Sequence, residues 1–178
     1  MKVITETPRL IIREFTLADA PEVLNFNTPK EVNRYTGDAG VCTTLTDAEN
    51  IIRNIWLVEY QQYGFGRWAV VVKDTNTVIG FCGFKNETRI NAVDIGYRLH
   101  PDYWGIGLAT EANQACIDYA KKHMDLDTVY ADVVDANQGS INVVIKLGMT
   151  YHSQYQEGEC NVNRYVISLK ANKSAKNG

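Results

Sequence analysis

The chain has 178 residues, 45% of them hydrophobic and 22% charged, so it is long and apolar enough to bury the core of one domain. Its 18 Lys and Arg residues against 21 Asp and Glu residues give a formal net charge of −3, which argues against a dedicated nucleic-acid binder. No apolar run approaches the roughly 20 residues of a membrane-spanning helix, so no membrane partner is expected.

The N-terminus and the cysteines favour a cytoplasmic protein. The first residues, Met1 to Glu6, turn acidic at once and contain neither an apolar stretch nor a cleavage signal, so secretion is not expected. Without an export signal, the cysteines at 42, 82, 116 and 160 are expected to be reduced thiols. Neither their spacing nor that of the three histidines matches a zinc site, so no metal is expected.

The first elements are a short strand and two helices. Residues 9–13 form a charged-flanked apolar run that predicts a strand, and a capping-box pattern at Thr16 predicts a helix after it. A second capping box, Thr46 to Glu49, predicts a longer helix that ends near Gly64. The apolar stripe of that helix comprises Ala48, Ile52, Ile55, Trp56 and Tyr60.

The middle of the chain predicts strands. Residues 67–73 and 78–84 flank a turn-forming segment and indicate an antiparallel hairpin. Residues 93–99 alternate with a period of two. One face of this strand carries Val93, Ile95, Tyr97 and Leu99, and the other carries Asp94, Gly96 and Arg98.

The last part predicts a helix at 107–123, a strand at 128–134 and a short helix that begins at Asn137 and ends at Gly148. Residues 150–170 predict two strands around a polar turn. About seven strands with interspersed helices indicate a mixed-sheet α/β or α+β fold. We expect one domain over residues 1–170 and a flexible tail at 171–178, which is polar and small.

The segment Tyr103–Glu111 is the most informative for chemistry. It lies between a strand and a helix, and Gly105 and Gly107 flank one residue at the helix start. N–H groups there lack intrahelical partners, and the helix dipole adds positive potential, so residues 105–109 could cradle a pyrophosphate without a lysine. From the spacing alone, a glycine-rich turn that only starts a helix is an equally good interpretation.

Two further positions carry polar groups of interest. Asn137 and Ser140 stand at a second strand-to-helix junction, where Asn137 caps the helix and Ser140 either bonds locally or faces a cleft. Asp94 stands mid-strand on the polar face. A carboxylate there is usually solvated or paired across the strand, for example with Lys85 or Arg89, and a catalytic role is the alternative.

Taken in order, these segments resemble the GNAT superfamily of acetyl-CoA-dependent N-acetyltransferases. Within it they resemble the branch that contains bacterial ribosomal-protein N-terminal acetyltransferases for alanine and serine. The segments that carry the resemblance are 7–15, 63–64, 68–70, 78–80, 94–97, 101–112, 137–140 and 146–148. Each is weak alone, but their order and separations are specific, and they favour the phosphate-cradle interpretation of residues 105–109.

The resemblance implies a twisted mixed sheet flanked by helices, with two central parallel strands splayed by a bulge. Acetyl-CoA would lie between those strands, here 93–99 and 128–134, and a backbone N–H near Leu99 would polarise the thioester carbonyl. The residues implied to bind acetyl-CoA are Leu99, Gly105, Ile106, Gly107, Leu108, Ala109, Thr110, Asn137 and Asn142.

The implied reaction is direct attack of a neutral amine on the thioester in a ternary complex. Asp94 holds the position of the base, although many relatives carry the longer glutamate there, and Ser140 holds that of an acid for the departing thiolate. A tyrosine acid used by many members is excluded, because Val144 stands at its position.

The acceptor would be a primary amine, either a protein α-amine or a small molecule. Its wall is expected in the first helices and the loop 29–44, with Tyr35, Trp56 and the acidic turn Glu157–Glu159 as candidates. A solvated hairpin tip is an equally good interpretation of that turn. The alternative class is a non-catalytic acyl-CoA sensor, which would have the same cradle. A monomer and a homodimer are both compatible with the sequence.

Overall fold

Strands and helices alternate along the part of the chain that the computed structural model describes, residues 1–170; the predicted tail at 171–178 lies outside the described residues. The elements are β1 (Val3–Glu6), β2 (Leu10–Arg13), α1 (Ala20–Asn27), α2 (Leu45–Ile51), α3 (Leu57–Tyr63), β3 (Arg67–Val72), β4 (Thr77–Glu87), β5 (Ala92–Leu99), α4 (Leu108–His123), β6 (Thr128–Val134), α5 (Gln138–Lys146), β7 (Thr150–Glu157) and β8 (Cys160–Ser168). A π-helical turn, Ile52–Trp56, joins α2 to α3.

The eight strands form one sheet in the order β1-β2-β3-β4-β5-β6-β8-β7. All neighbours are antiparallel except β5 and β6, which confirms the prediction of a mixed sheet flanked by helices. The sheet has one strand more than expected. The extra strand is β1, whose four partly exposed residues show no clear alternation that could have predicted it.

The parallel pair β5 and β6 is splayed. Only Asp94 and Tyr130 are in register between them, whereas β5 pairs with β4 over eight positions and β6 with β8 over seven. Neither β5 nor β6 carries the expected bulge, because β5 pairs with β4 and β6 pairs with β8 without a register shift. The nearest register shift is in β4, where Ile79 is the extra residue facing β3. The strands therefore separate beyond Asp94 and leave a gap, which we call the seam.

Two apolar clusters hold the sheet between helices. On one side, α4 packs Leu108, Ala112 and Cys116 against the large buried side chains of β3 to β5, such as Trp68 and Phe84. On the other side, α1, α2 and the π-helical turn pack against β3 and β4. Burial on both faces fixes the direction of every side chain on β5.

The helix over 45–63 differs from its prediction at two points. Its N-cap is Thr44 rather than Thr46, because Thr44 and Asp47 complete the reciprocal bonds of a capping box. Ile55 is 46% exposed rather than buried. The π-helical turn takes more residues per turn than an α-helix and so displaces Ile55 from the apolar stripe. The end at Gly64 is confirmed by its left-handed φ of 75°.

Candidate active site

The seam opens into a cavity of about 540 Å³ between the end of β5, the start of α4 and the first turns of α5. Its walls include Leu99, Gly105, Gly107, Leu108, Ala109, Thr110, Asn137, Ser140 and Asn142. We call it the seam cavity. Of the nine residues expected to bind acetyl-CoA, eight line it. The ninth, Ile106, is 56% exposed and lies outside the cavity wall.

The loop at the start of α4 presents backbone N–H groups to the seam cavity. Gly105 and Gly107 have φ values of 75° and 84°, in the left-handed region that other residues avoid. Gly107 is the N-cap, and the first helical bond runs from Glu111 N–H to its carbonyl. The N–H groups of residues 108–110 therefore have no intrahelical partner, and they lie at the positive end of a 16-residue helix. This arrangement suits an anion.

Trp104 ties this loop to β5. Its indole Nε1 donates to the Leu99 carbonyl oxygen at 2.8 Å, and its ring lines the seam cavity while remaining 47% exposed. The bond fixes the distance between the end of β5 and the glycine loop. The sequence analysis had assigned Trp104 no role, although it precedes Gly105 directly.

A second cavity, of about 310 Å³, adjoins the first and is lined by both β5 and β6. We call it the acceptor cavity, after the role that the family resemblance would give it. Its lining includes Arg67, Phe81, Asp94, Asp132, Tyr155 and Glu157. The two cavities share the residues Tyr35, Thr36, Tyr97, Arg98, Asn137, Ser140 and Val143. A molecule in one cavity can therefore meet a molecule in the other beside these shared residues.

Asp94 is held by Arg67, a residue two strands away. The guanidinium donates to Asp94 Oδ2 at 2.5 Å and to the Gly83 carbonyl oxygen, also at 2.5 Å. It crosses Gly96, where a Cβ atom would lie 3.0 Å from its Nη2, so a side chain at 96 would displace it. This corrects the expected cross-strand pairing. Lys85 is in register with Asp94, but its ammonium pairs with Glu87 instead.

The environment of Asp94 favours an unusually basic carboxylate. Burial raises the pKa of Asp94, and the Arg67 guanidinium opposes that shift without cancelling it. The side chain retains 21% of its surface exposed, and it faces the acceptor cavity. A carboxylate with a raised pKa accepts a proton more readily than an ordinary aspartate does.

Ser140 meets Tyr97 at the junction of the two cavities. Their hydroxyl oxygens lie 3.2 Å apart and share a hydrogen bond. The Asn137 side chain accepts from the Ser140 N–H at 3.2 Å, which is the predicted cap and places Ser140 in the first turn of α5. Burial raises the pKa of Tyr97, and the bond to Ser140 partly opposes the shift. The pair therefore offers O–H groups in a partly buried position.

Arg98 fastens the loop after α1 to β5. It donates to both carboxylate oxygens of Asp38, at 2.9 and 2.8 Å, and to Asn27, and it stacks 5.6 Å from the centre of the Phe81 ring. The loop thereby brings Tyr35 into the wall of both cavities.

Comparison with known proteins identifies the chain. Residues 9–150 match the family model of the acetyltransferase (GNAT) domain. The uncharacterized N-acetyltransferase p20 of Bacillus licheniformis is 32% identical over 142 residues, 79% of each chain. This chain is a GNAT-family acetyltransferase.

Solved GNAT structures share the fold. An acetyltransferase from Bacillus anthracis superposes with a TM-score of 0.80 at 24% identity, covering 95% of this chain and 99% of that one. The RimL ribosomal L7/L12 α-N-protein acetyltransferase, solved with coenzyme A, has a TM-score of 0.81 at 17% identity, covering 94% and 98%. The predicted superfamily and fold are confirmed, as is the class of acetyl-CoA-dependent N-acetyltransferase.

Not every predicted site residue reaches the GNAT cavities. Trp56 is 6% exposed and stacks on Phe15 with ring centres 4.3 Å apart, so it belongs to the core and not to the acceptor wall. Its helical stripe indicated this burial. Glu157 lines the acceptor cavity, whereas Glu159 does not.

Arg67 and Tyr97 are functional candidates that the sequence analysis missed. Tyr97 could have been found, because it lies on β5 between Ile95 and Leu99 and its face was predicted. Arg67 lies at the first position of β3, and no sequence signal connects it with Asp94.

The described residues, 1–170, contain neither a metal-binding cluster nor a membrane-spanning helix. No group of three or more His, Cys, Asp or Glu side chains in that range is placed to hold a metal ion. None of the described helices has the length and apolarity to cross a membrane.

Proposed function

We propose that this GNAT enzyme transfers the acetyl group of acetyl-CoA directly to a primary amine, with acetyl-CoA in the seam cavity and the amine in the acceptor cavity. The observation that carries the proposal is the meeting of the two cavities at Tyr97 and Ser140. Two substrates that meet there can react without an acetyl-enzyme intermediate, and much of the rate enhancement comes from their alignment.

The cofactor side rests on backbone groups. The N–H groups of residues 108–110 bind the pyrophosphate, and Gly105 and Gly107 allow it to approach the main chain closely. Asn137 and Asn142 add polar side chains to the opposite wall. The Leu99 N–H polarises the thioester carbonyl, because His100 N–H points to β4 and the preceding N–H on the alternating strand points into the seam.

The acceptor side supplies the base. Asp94 accepts the proton that the amine loses as its nitrogen attacks the thioester carbon, either directly or through one water molecule. Arg67 orients the carboxylate and keeps it ionised. A carbon–nitrogen bond forms as the carbon–sulfur bond breaks, and the electron pair leaves on sulfur.

Ser140 donates a proton to the departing thiolate. Its hydroxyl lies where the cavities meet and is hydrogen-bonded to Tyr97, which can replace the proton. Asn137, through the helix cap, sets the position of Ser140. One proton passes to Asp94 and one leaves the hydroxyl pair, so the enzyme returns to its starting state when Asp94 releases its proton to solvent and solvent reprotonates the pair.

We further propose a peptide α-amine as the acceptor. The far end of the acceptor cavity is formed by side chains that remain exposed on β6 and β7, namely Asp132, Tyr155 and Glu157, so a chain can continue from the reacting amine toward solvent. The similarity in fold to RimL, an α-N-protein acetyltransferase, is consistent with this choice. Residues 1–170 act as one catalytic domain, and the four free thiols, including the exposed Cys160, suit the cytoplasm.

The test is transfer from labelled acetyl-CoA into peptides with free Ser or Ala termini, polyamines, aminoglycosides and amino acids, with products identified by mass. Each peptide contains one lysine and is paired with a control copy whose N-terminus is already acetylated, so that only the lysine side-chain amine is free. We expect label only in the peptides that have a free N-terminal α-amine. Transfer only to small amines would overturn the peptide proposal. Binding of acetyl-CoA without transfer to any amine would favour the sensor function.

A further inference from the structure

The glycine loop of the seam cavity is held from behind by a residue far away in the sequence. Arg9, in the connection between β1 and β2, donates from Nη1 to the Ile106 carbonyl oxygen at 2.9 Å. Its Nε donates to Glu111 Oε2 at 2.7 Å, and its Nη2 lies 2.6 Å from the same oxygen. One guanidinium thus joins the glycine loop to the first turn of α4.

Glu111 collects further bonds from the same connection. Its Oε1 accepts from the Thr7 hydroxyl at 2.6 Å and from the Arg9 backbone N–H at 3.2 Å. Partial burial raises the pKa of Glu111, but the bonds from Thr7 and Arg9 outweigh burial and hold the pKa below its ordinary value. We call Thr7, Arg9 and Glu111 the loop clamp.

The clamp solves an electrostatic problem at the start of α4. A carboxylate in a first turn favours the helix, but it also lies beside the N–H groups that suit an anion and would repel a phosphate. The Arg9 charge next to Glu111 offsets that repulsion. The arginine fork also bonds the loop carbonyl, which a lysine could not do while keeping both contacts to the carboxylate.

None of the three clamp residues lines the seam cavity. The clamp therefore acts on a ligand only through the loop. Fixing the Ile106 carbonyl fixes the peptide plane that also carries the Gly107 N–H. The bonds to Glu111 hold the first turn of α4, which carries the N–H groups of residues 108–110. A loop with two left-handed glycines is otherwise free to adopt other conformations, and ordering it on binding would weaken affinity.

We propose that Thr7, Arg9 and Glu111 are positioning residues for acetyl-CoA, which hold the glycine loop in its phosphate-binding conformation before the ligand arrives. The inference rests on the proposed function, which places the pyrophosphate at this loop. It assigns a role to the Thr7–Arg9 segment and to Glu111, which the sequence analysis noted and the proposed reaction does not use.

The test measures the affinity for coenzyme A by calorimetry and the KM for acetyl-CoA by steady-state kinetics in Arg9→Met. We expect a Kd and a KM raised about tenfold, with kcat at saturating acetyl-CoA within about twofold of wild type. The Kd and KM of Arg9→Lys should lie between those of the wild type and Arg9→Met, because lysine restores the positive charge but not the several N–H donors of the guanidinium. Lys73→Met is the matched control, since it also removes a cation that is paired with a carboxylate, here Glu6, and should change neither constant.

Removal of the Glu111 charge separates the electrostatic role of Arg9 from its role in holding the loop conformation. In Arg9→Met the Glu111 carboxylate is left without its cation, so Arg9→Met combined with Glu111→Gln should recover part of the lost affinity for coenzyme A. Failure of the double variant to recover any affinity would overturn the electrostatic part. Wild-type Kd and KM in Arg9→Met would overturn the clamp as a whole.

The results that would refute the proposed function differ from those that would refute the clamp. If the wild-type enzyme itself does not bind coenzyme A, the assignment of the loop to pyrophosphate is wrong, whatever the variants do. If the wild-type enzyme binds and the clamp variants bind equally well, only the clamp is refuted. If circular dichroism shows that Arg9→Met does not fold, Arg9→Lys is the test. A wild-type affinity for coenzyme A in folded Arg9→Lys would refute the role of the guanidinium contacts.

Discussion

The hydroxyl groups of Tyr97, on β5, and Ser140, on α5, lie 3.2 Å apart where the two cavities meet. Two elements that are distant in the sequence thus place a pair of O–H groups at one point of the site. A single hydroxyl near the site would not by itself indicate a proton donor. The hydrogen-bonded pair can give up one proton and replace it from the second hydroxyl, which suits a leaving thiolate.

Removal of the Ser140 hydroxyl should slow the chemical step. We expect Ser140→Ala to lower kcat about tenfold or more with little change in the KM for acetyl-CoA, because the hydroxyl acts on the leaving group and not on binding. Tyr97→Phe should have a smaller effect, and the double variant should be no slower than Ser140→Ala. Steady-state kinetics check this. Turnover at the wild-type level in Ser140→Ala would mean that solvent protonates the thiolate.

Two glycines offer a matched pair for the anion site. Gly105 and Gly148 have φ values of 75° and 76°, and a Cβ atom at either would meet no atom within 4 Å. Alanine should therefore cost each variant a similar stability, roughly 1 kcal/mol for a left-handed residue. Only Gly105→Ala places a methyl group in the wall of the seam cavity. We expect calorimetry to show weaker binding of coenzyme A in Gly105→Ala and unchanged binding in Gly148→Ala; equal affinities would contradict the assignment.

Arg67 should control the pH dependence through Asp94. The guanidinium lowers the pKa of Asp94 against the larger effect of burial, so Arg67→Met should raise that pKa further. The base must be ionised to act, and activity is lost as pH falls through its pKa. The acidic limb of kcat/KM should therefore move to higher pH in Arg67→Met. Rate profiles with one acceptor, from about pH 5 to about pH 9, test this. A limb that does not move would show that the amine, not Asp94, sets it.

Glu59 predicts a pH-dependent stability. Its Oε2 is buried and has no hydrogen-bond partner within residues 1–170, and burial raises the pKa of Glu59 above its ordinary 4.5. Between the unfolded and folded pKa values the folded state holds the extra proton, so stability falls as pH rises through that window. Glu59→Gln should melt at a higher temperature than wild type at neutral pH, and the difference should vanish below about pH 4.5.

The control for this prediction is Glu159→Gln, which removes a carboxylate from the exposed hairpin turn. Its melting temperature should follow that of the wild type across the same pH range. A Glu59→Gln difference that persists unchanged in acid would assign the effect to packing of the amide and not to ionisation of the carboxylate.

Local pattern predicted most of the framework. The strand at 128–134 was predicted with its observed bounds, and β5 and α4 within one residue, because each has a clean period and clear flanking signals. The glycine loop and the Asn137 cap were also predicted, since both depend on backbone rules that act within a few residues. Eight of the nine residues that the GNAT resemblance implied for acetyl-CoA binding line the seam cavity.

Long-range relationships were beyond such patterns. The partner of Asp94 is Arg67, which reaches it from β3 across glycines at 83 and 96, and only the assembled sheet brings them together. The π-helical turn that exposes Ile55 has no reliable sequence signature. For Trp56 the local pattern was sufficient. Its position on the apolar stripe of the helix indicated burial, and its assignment to the acceptor wall contradicted that pattern.

The splay between β5 and β6 has a consequence for the cohesion of the molecule. Residues 3–99 supply β1 to β5 and residues 128–168 supply the other three strands, so the two parts of the sheet are also consecutive parts of the chain. One registered pair joins their hydrogen-bond ladders. A ligand along the seam adds links between them and acts as a brace, and hydrogen exchange in β6 should slow when coenzyme A binds. Coenzyme A bound along the seam would thus complete a joint that the protein's own backbone leaves open.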